Sequence, residues 1–391
     1  MYIPKGYTFA ATAAGFKYKD RDDLALIVSE VPAHAAGVFT TNRFQAAPVL
    51  VARENLERGG RIRALLINSG QANACTGQKG LDRCRDTLTM LNTFGLSWME
   101  VLPASTGVIG DQLRTDLWEQ ALPGLQAALG QSSPLDAARA IMTTDTFPKI
   151  ISREVVLAGG TVRLLGLCKG AGMICPNMAT MLGFVLCDGV VDGAWWRETL
   201  KEAVRVSFNA ITVDGDTSTN DCVLALANGM SGVDLNEADR ITLAEELTSL
   251  CQDLAFQIVQ DAEGGTRVMR IEVAGAEDDA QADLAARAVG NSPLVKTALY
   301  GRDPNWGRIV AALGRSGASF DPGAVSVSIG GQMIFENGCP VMGDWDGLLA
   351  SVLRRDEVVI NILLGDGEGK ALLFASDLTE EYIRINAEYR T

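Results

Sequence analysis

The feature that most constrains this chain is a recurring pattern: short apolar runs rich in Val, Ile and Leu that break at polar, Gly-containing turns. The runs "DLALIVSEV", "AAPVLVA" and "IRALLINSG" predict strands in the first part. Later, "IISREVVLAGGTVRLLGLCKG" predicts a hairpin around Gly159 and Gly160, and "TMLGFVLCDGVV" a buried strand. Between them, "LDRCRDTLTMLNTFGL", "TDLWEQALPGLQAAL", "PLDAARAIMTT", "GAWWRETLKEAVRVSF" and "LNEADRITLAEELTSLCQDLAFQIVQD" have helical spacing. Towards the end, "AVSVSIGGQMIFENG" and "EVVINILLGDGEGKALLFASDLT" predict two more hairpins, with a helix near "DGLLASVLRRD". The expected fold is a layered mixed α/β sandwich without a clean linker, with a smaller C-terminal lobe from about residue 280.

Composition narrows the class. The 391 residues are 47% hydrophobic and 21% charged, values of a chain that folds throughout. A formal charge of −14 disfavours nucleic acid or an anionic membrane as partner, and no stretch approaches the length of a membrane span. We therefore expect a cytoplasmic protein acting on small molecules. The eight cysteines form no CxxC pair, which argues against zinc and against a disulfide framework. His34 is the only histidine, so a His-dependent metal cluster is excluded, and an enzyme here must find its base elsewhere.

The polar turns are "NSGQANACTG", "ASTGVIG", "TTDTFPK", "KGAGMICPNMAT", "TVDGDTSTND" and "GRDPNWGR". They are dense in Ser, Thr, Asn and Gly, a composition that suits donors gathered round a small polar ligand. "GDGEGK" lacks the spacing of a phosphate loop and reads as a hairpin turn. "DGDTSTND" lacks the invariant Gly and the terminal Glu of a calcium loop at their required spacing. Thr180 has a specific chemistry if the Ala179–Thr180 bond is cut. It then carries a hydroxyl and a free α-amine, whose reference pKa of roughly 7.7–8.0 lets it act as the missing base. An attack by Thr180 on an acyl group needs aimed oxyanion donors, for which the Thr106 hydroxyl and the Gly107 amide are the local candidates. Lys169 could hold a carboxylate or lower the amine's pKa.

Taken together, "GVFTTNRFQAAPV", "NSGQANACTG", "STGVIG", "AIMTTDTFPK", "KGAGMICPNMATML", "ITVDGDTSTND", "NSPLVKTALYGRDPNWGRI" and the terminal "RINAEYRT" resemble the ornithine acetyltransferase family, the bifunctional glutamate N-acetyltransferases of arginine biosynthesis. The resemblance implies autocatalytic cleavage into an α chain, 1–179, and a β chain, 180–391. It implies acetyl transfer from N-acetylornithine to glutamate by a ping-pong route through an acetyl-Thr180 ester. The oxyanion pair falls on Thr106 and Gly107. Substrate contacts fall on Thr143, Lys169, Thr180, Glu263, Asn386 and Thr391. No cofactor or metal is required, acetyl-CoA is an alternative donor in part of the family, and a dimer of αβ units is the family pattern. Gln71 stands where the family often has Asn, Cys175 occupies a variable position, and "ALLFASDLT" lacks the usual Trp-Gly-Cys. Two other readings compete: a self-processing amidase, aminopeptidase or acetyltransferase paralogue of specialised metabolism, and an unprocessed amino-acid-binding protein.

Overall fold

The computed structural model describes all residues except Tyr18, Gly60, 176–180 and 389–391. In chain order the first elements are β1 (Tyr7–Thr12), β2 (Leu24–Phe39), α1 (Ala47–Glu57), β3 (Ile62–Gln71), α2 (Gly77–Thr89), β4 (Val101–Val108), α3 (Thr115–Ala128) and α4 (Pro134–Ala140). They are followed by β5 (Lys149–Leu157), β6 (Gly160–Lys169), β7 (Leu182–Cys187), α5 (Gly193–Arg205), β8 (Ile211–Thr212), β9 (Cys222–Ala227) and α6 (Glu237–Gln260). The remainder comprises β10 (Val268–Ala276), α7 (Asp279–Gly290), α8 (Pro293–Gly301), α9 (Trp306–Gly314), β11 (Ser326–Ile329), β12 (Gln332–Glu336), β13 (Cys339–Pro340), α10 (Trp345–Leu349), β14 (Glu357–Leu363), β15 (Gly369–Ser376) and α11 (Glu380–Glu388). The chain divides into two compact units: Met1–Asn209 with Asp216–Ile258, and a smaller one formed by Ala210–Gly215 with the residues from Val259 on. The second unit thus starts earlier than the boundary near 280 that the sequence suggested.

The first unit holds an eight-stranded mixed sheet in the order β4-β3-β2-β9-β7-β6-β5, with β1 beside the first half of β2. Strand β2 joins its two halves. Leu24–Val28 pairs with β3, the register shifts before Ala33, and His34–Phe39 pairs with β9. Pro32, which has no N–H to give a ladder, lies within that shift. Alternation then sorts the side chains by face. Ala25, Ile27, Leu65 and Ile67 share one core with Leu165, Leu167, Phe184 and Leu224 from the other half of the sheet. Leu24, Leu26, Ala64 and Leu66 turn the other way, onto Leu88 of α2 and Trp118 and Leu125 of α3. On β6, Gly166 lets α6 come close: a Cβ there would lie 2.5 Å from Leu250 Cδ2 and 2.6 Å from Leu254 Cδ1.

The second unit is a seven-stranded sheet in the order β13-β12-β11-β14-β10-β15-β8. Its core joins Met269, Ile271 and Val273 of β10 to Ala282, Ala286 and Val289 of α7 and to Ile309 and Leu313 of α9.

Three local expectations are corrected. The run 46–52 is not a strand but the start of α1, where Pro48 stands in the first turn and Ala47, Val51, Ala52 and Asn55 are buried at helical spacing. The segment 357–379 is not a hairpin, because β10 lies between β14, its parallel neighbour, and β15, its antiparallel one. "GDGEG" therefore crosses the end of β10, and it can do so because a Cβ on Gly367 would lie 1.9 Å from the Ala276 carbonyl oxygen and one on Gly369 2.2 Å from the Asp278 carbonyl carbon. The helix expected near 346–356 is short, Trp345–Leu349, and gives way to turns.

Candidate active site

Strands β3 and β4 run parallel and in register, so Ser69 lies beside Thr106 and Gly70 beside Gly107. The motifs "NSG" and "STG" are thereby brought to one end of the sheet. Gly70 and Gly107 have φ of 104° and 127°, a region side chains rarely adopt, and a Cβ on Gly107 would lie 2.2 Å from the Gly70 carbonyl carbon. Only glycine permits this approach of two backbones. Around it, the Ser105 hydroxyl donates to Asn68 Oδ1 at 2.6 Å, and Asn68 Nδ2 donates to the Gln71 carbonyl at 2.9 Å.

Lys169 is the last residue of β6, and it is buried. Its Nζ donates weakly to Thr106 Oγ1 at 3.5 Å, which leaves the Thr106 hydroxyl proton available to another acceptor. Asp145 holds this arrangement. Its carboxylate accepts from Lys149 Nζ at 2.7 Å, from the Gly170 amide at 2.7 Å and from the Thr143 amide at 3.0 Å, with Lys169 Nζ 3.9 Å away. The side chains of Lys149 and Asp145 are both at 0% exposure. Burial alone would raise the Asp145 pKa; the charges of Lys169 and Lys149 and the bonds it accepts overcome this and bring it down to about 2. Asp145 is therefore an ionised carboxylate in the protein interior.

Leu182, at the start of β7, registers with Lys169 on one side and with Cys222 on the other. The residues before Cys222 knit the polar turns together. Asn220 Nδ2 donates to the carbonyls of Ala72 at 2.6 Å and Ser105 at 2.8 Å. Thr40 Oγ1 donates to the Ser218 carbonyl at 2.7 Å, Asn42 Nδ2 to the Thr217 carbonyl at 2.9 Å, and Thr217 Oγ1 to the Cys175 carbonyl at 3.0 Å. Asp221 is buried, and neither carboxyl oxygen makes a hydrogen bond of ordinary geometry. Burial pushes its pKa well above the carboxylate range; the nearby Ser218 hydroxyl, the Met181 and Ser218 amides and the Lys169 charge oppose that shift without cancelling it.

In the second unit, Asn386 Nδ2 of α11 donates to Glu263 Oε2 at 2.8 Å, so two of the expected substrate contacts meet each other. Ala179, Thr180 and Thr391 lie outside the described residues.

Comparison with known proteins decides the family. A profile of the ArgJ family matches residues 8–391. The chain belongs to the ArgJ family. It is 58% identical over 389 residues to the arginine biosynthesis bifunctional protein ArgJ of Nitratidesulfovibrio vulgaris, covering 99% of both chains. It is 46% identical to the protein of that name from Thermosynechococcus vestitus, over 99% of this chain and 97% of the other. Among solved structures it is similar to the arginine biosynthesis bifunctional protein ArgJ of Bacillus halodurans, at 38% identity and a TM-score of 0.52, covering 54% of this chain and 100% of that one. The chain is thus an acyltransferase of this family with its mixed α/β fold and smaller C-terminal lobe.

For this ArgJ-family enzyme, the sequence pointed to Thr106, Gly107, Thr143 and Lys169: Thr106 and Gly107 lie near the end of β4, Lys169 ends β6, and Thr143, in the loop before β5, donates its amide to the Asp145 carboxylate beside Lys169. Asp145, Lys149, Asn220 and Asp221 carried no assigned role, although "TTDTFPK" and "TSTND" contain all four. Among the described residues, no group of three or more His, Cys, Asp or Glu side chains is arranged to hold a metal ion, and no helix is long and apolar enough to cross a membrane. His34 is half-buried on β2, 3.5 Å from Arg61. Five of the eight cysteines are buried, and burial pushes the thiols of Cys84, Cys187 and Cys251 up to about 12, which leaves them unreactive.

Proposed function

We propose that the chain cuts itself between Ala179 and Thr180 and then moves acetyl from N-acetylornithine to glutamate through an acetyl-Thr180 ester. The observation that carries this reading is the register of β7. Its first residue, Leu182, two positions after Thr180, is paired with Lys169, whose ammonium is 3.5 Å from the Thr106 hydroxyl. In the cutting step the Thr180 hydroxyl attacks the Ala179 carbonyl, the Thr180 nitrogen leaves with the hydroxyl's proton, and water opens the ester. In transfer, the freed α-amine takes the hydroxyl proton as Oγ bonds the acetyl carbon, and then passes it to the departing ornithine amine. Glutamate's amine reverses the sequence, which makes the kinetics ping-pong.

Thr106 and Gly107 serve as oxyanion donors in this reading. Lys169 and Thr143 meet the substrate, as do Glu263, Asn386 and Thr391, with Glu263 supplying negative charge to a cationic amino acid. The fragments 1–179 and 180–391 stay together because β7 of the second is laddered to β6 of the first. The relative from Bacillus halodurans adds support: its solved chain is matched in full by 54% of this one, the share that residues 180–391 make up. The setting is the cytoplasm.

Intact mass spectrometry under denaturing conditions tests the cut. Two fragments meeting at Ala179 and Thr180, and a single uncut, inactive chain for Thr180→Ala, are expected. A wild-type chain that stays whole, or a Thr180→Ala variant that still transfers acetyl, overturns the reading. Acetyl-CoA as an alternative donor is tested by acetylglutamate formation in the absence of N-acetylornithine.

A further inference from the structure

The first half of strand β2 is flanked on both sides, by β1 and β3. From His34 to Phe39 it ladders with β9, and among the described residues no strand takes the other side, the one that β3 holds as far as Ala33. The Thr40 amide, directly after the strand, donates to the Asp221 carbonyl at 3.0 Å. Backbone direction alternates along a strand, so the N–H and C=O groups of Gly37 and Phe39 point away from β9, towards that open side. A cavity of about 490 Å³ lies there, lined by Gly37 and Phe39, by Arg53, Leu56 and Glu57 of α1 and by Arg197 of α5. The two helices cover opposite faces of the sheet. A Cβ on Gly37 would lie 2.6 Å from Leu56 Cδ1, one on Gly193, the first residue of α5, would lie 2.8 Å from His34 Nδ1, and residues three apart on a strand face opposite ways. The cavity is therefore a slot along the sheet edge, with α1 as one wall and α5 as the other. On the α1 wall Leu56 and Phe39 are apolar, and the Arg53 guanidinium lies 5.3 Å from the Phe39 ring centroid. On the α5 wall His34 has Arg61 at 3.5 Å and feels the Arg197 charge, while Asp192 is engaged as the cap of α5. Among the described lining residues Glu57 is the single carboxylate, so the slot is basic in a chain of net charge −14.

We propose that this edge receives an extended segment of another protein, one that alternates apolar and acidic residues. Its backbone pairs with Gly37 and Phe39, its apolar side chains meet Leu56 and Phe39 on the α1 wall, and its acidic ones meet Arg61 and Arg197 on the α5 wall. In strand addition of this kind the main chain supplies affinity and the alternate side chains supply specificity. The edge itself is built to accept a strand: residues 35–39, "AAGVF", carry neither a charge nor a proline, the usual devices that block edge pairing. A second copy of this chain fits less well, because a two-fold contact of the edge with itself sets Arg53 and Arg197 against their own counterparts. The inference is independent of the self-cutting reading above.

The test uses the full-length protein and a blocked hexapeptide that alternates Glu and Val. On saturation with it, amide hydrogen exchange at Gly37 and Phe39, read by NMR, should slow by about tenfold or more. The same peptide with Lys in place of Glu should bind about tenfold more weakly. Arg61→Glu combined with Arg197→Glu should reverse that preference without moving the unfolding midpoint, since both arginines are exposed. Methylating the amide nitrogens of the Glu–Val peptide should abolish binding, because the backbone pairing is lost. No binding of the Glu–Val peptide overturns the proposal, as does binding that leaves exchange at Gly37 and Phe39 unchanged, survives methylation or is equal for the Glu and Lys peptides. Concentration-dependent dimers of the wild type that already protect these two amides would overturn it too, since a second copy would then cover the edge.

Discussion

Asp145, near the end of β6, and Asp221, at the start of β9, are both buried aspartates in the field of Lys169, and their surroundings treat them in opposite ways. Asp145 is given two backbone amides and the Lys149 ammonium at hydrogen-bond distance, and is ionised in spite of its burial. Asp221 has the Ser218 hydroxyl and the Met181 and Ser218 amides near it but outside ordinary hydrogen-bond geometry, and burial outweighs them. The difference teaches that burial does not by itself decide the charge of a carboxyl. The donors aimed at it do. It also separates two tasks: the Asp145 region fixes the end of β6 and with it Lys169, whereas the Asp221 region keeps an acid uncommitted beside the residue that follows Thr180.

The same isosteric change at the two sites sharpens this contrast. Asp145→Asn strips the negative charge from a buried lysine, and should destabilise the protein by about 3–5 kcal/mol in denaturant unfolding. A loss below about 1 kcal/mol would mean that Lys149 is relieved in some other way. Acid is the next largest lever. Because the Asp145 pKa is depressed, its contribution to stability is complete above the ordinary carboxylate value and is lost as the pH falls through about 2. Stability measured against pH should therefore keep falling down to that value. In Lys169→Met, which removes the strongest charge lowering that pKa, the decline should be smaller and level off at a higher pH; an unchanged acid limb would show that Lys169 does not act on Asp145. The smallest effect is expected for Asp221→Asn, which should change stability by no more than about 1 kcal/mol, since no hydrogen bond of ordinary geometry is removed. A loss as large as that of Asp145→Asn would erase the comparison.

Much of the fold was legible because short apolar runs rich in Val, Ile and Leu, broken at Gly-containing turns, mark strands directly, as in β3, β6 and β7. Residues 46–52 misled because their apolar letters satisfy a buried strand and a helix alike, and only burial of Ala47, Val51 and Asn55 on one face separates the two. The pairing of β14 and β15 misled because sequence adjacency suggests a hairpin, while the insertion of β10 between them is a long-range fact. At the site, Thr106, Gly107 and Lys169 stood out as chemistry-bearing residues in Gly-rich turns. Asp145 and Asp221 did not, because a polar letter in a turn looks the same whether it ends in solvent or in the interior.

The central claim is that Thr180 carries the acetyl group. Purified protein would be incubated with N-acetylornithine in the absence of glutamate, quenched in acid and weighed intact. The account predicts that the fragment 180–391 gains the mass of one acetyl group, that the fragment 1–179 gains nothing, and that added glutamate removes the adduct. Ornithine released with no adduct on either fragment, or an adduct on 1–179, would contradict it.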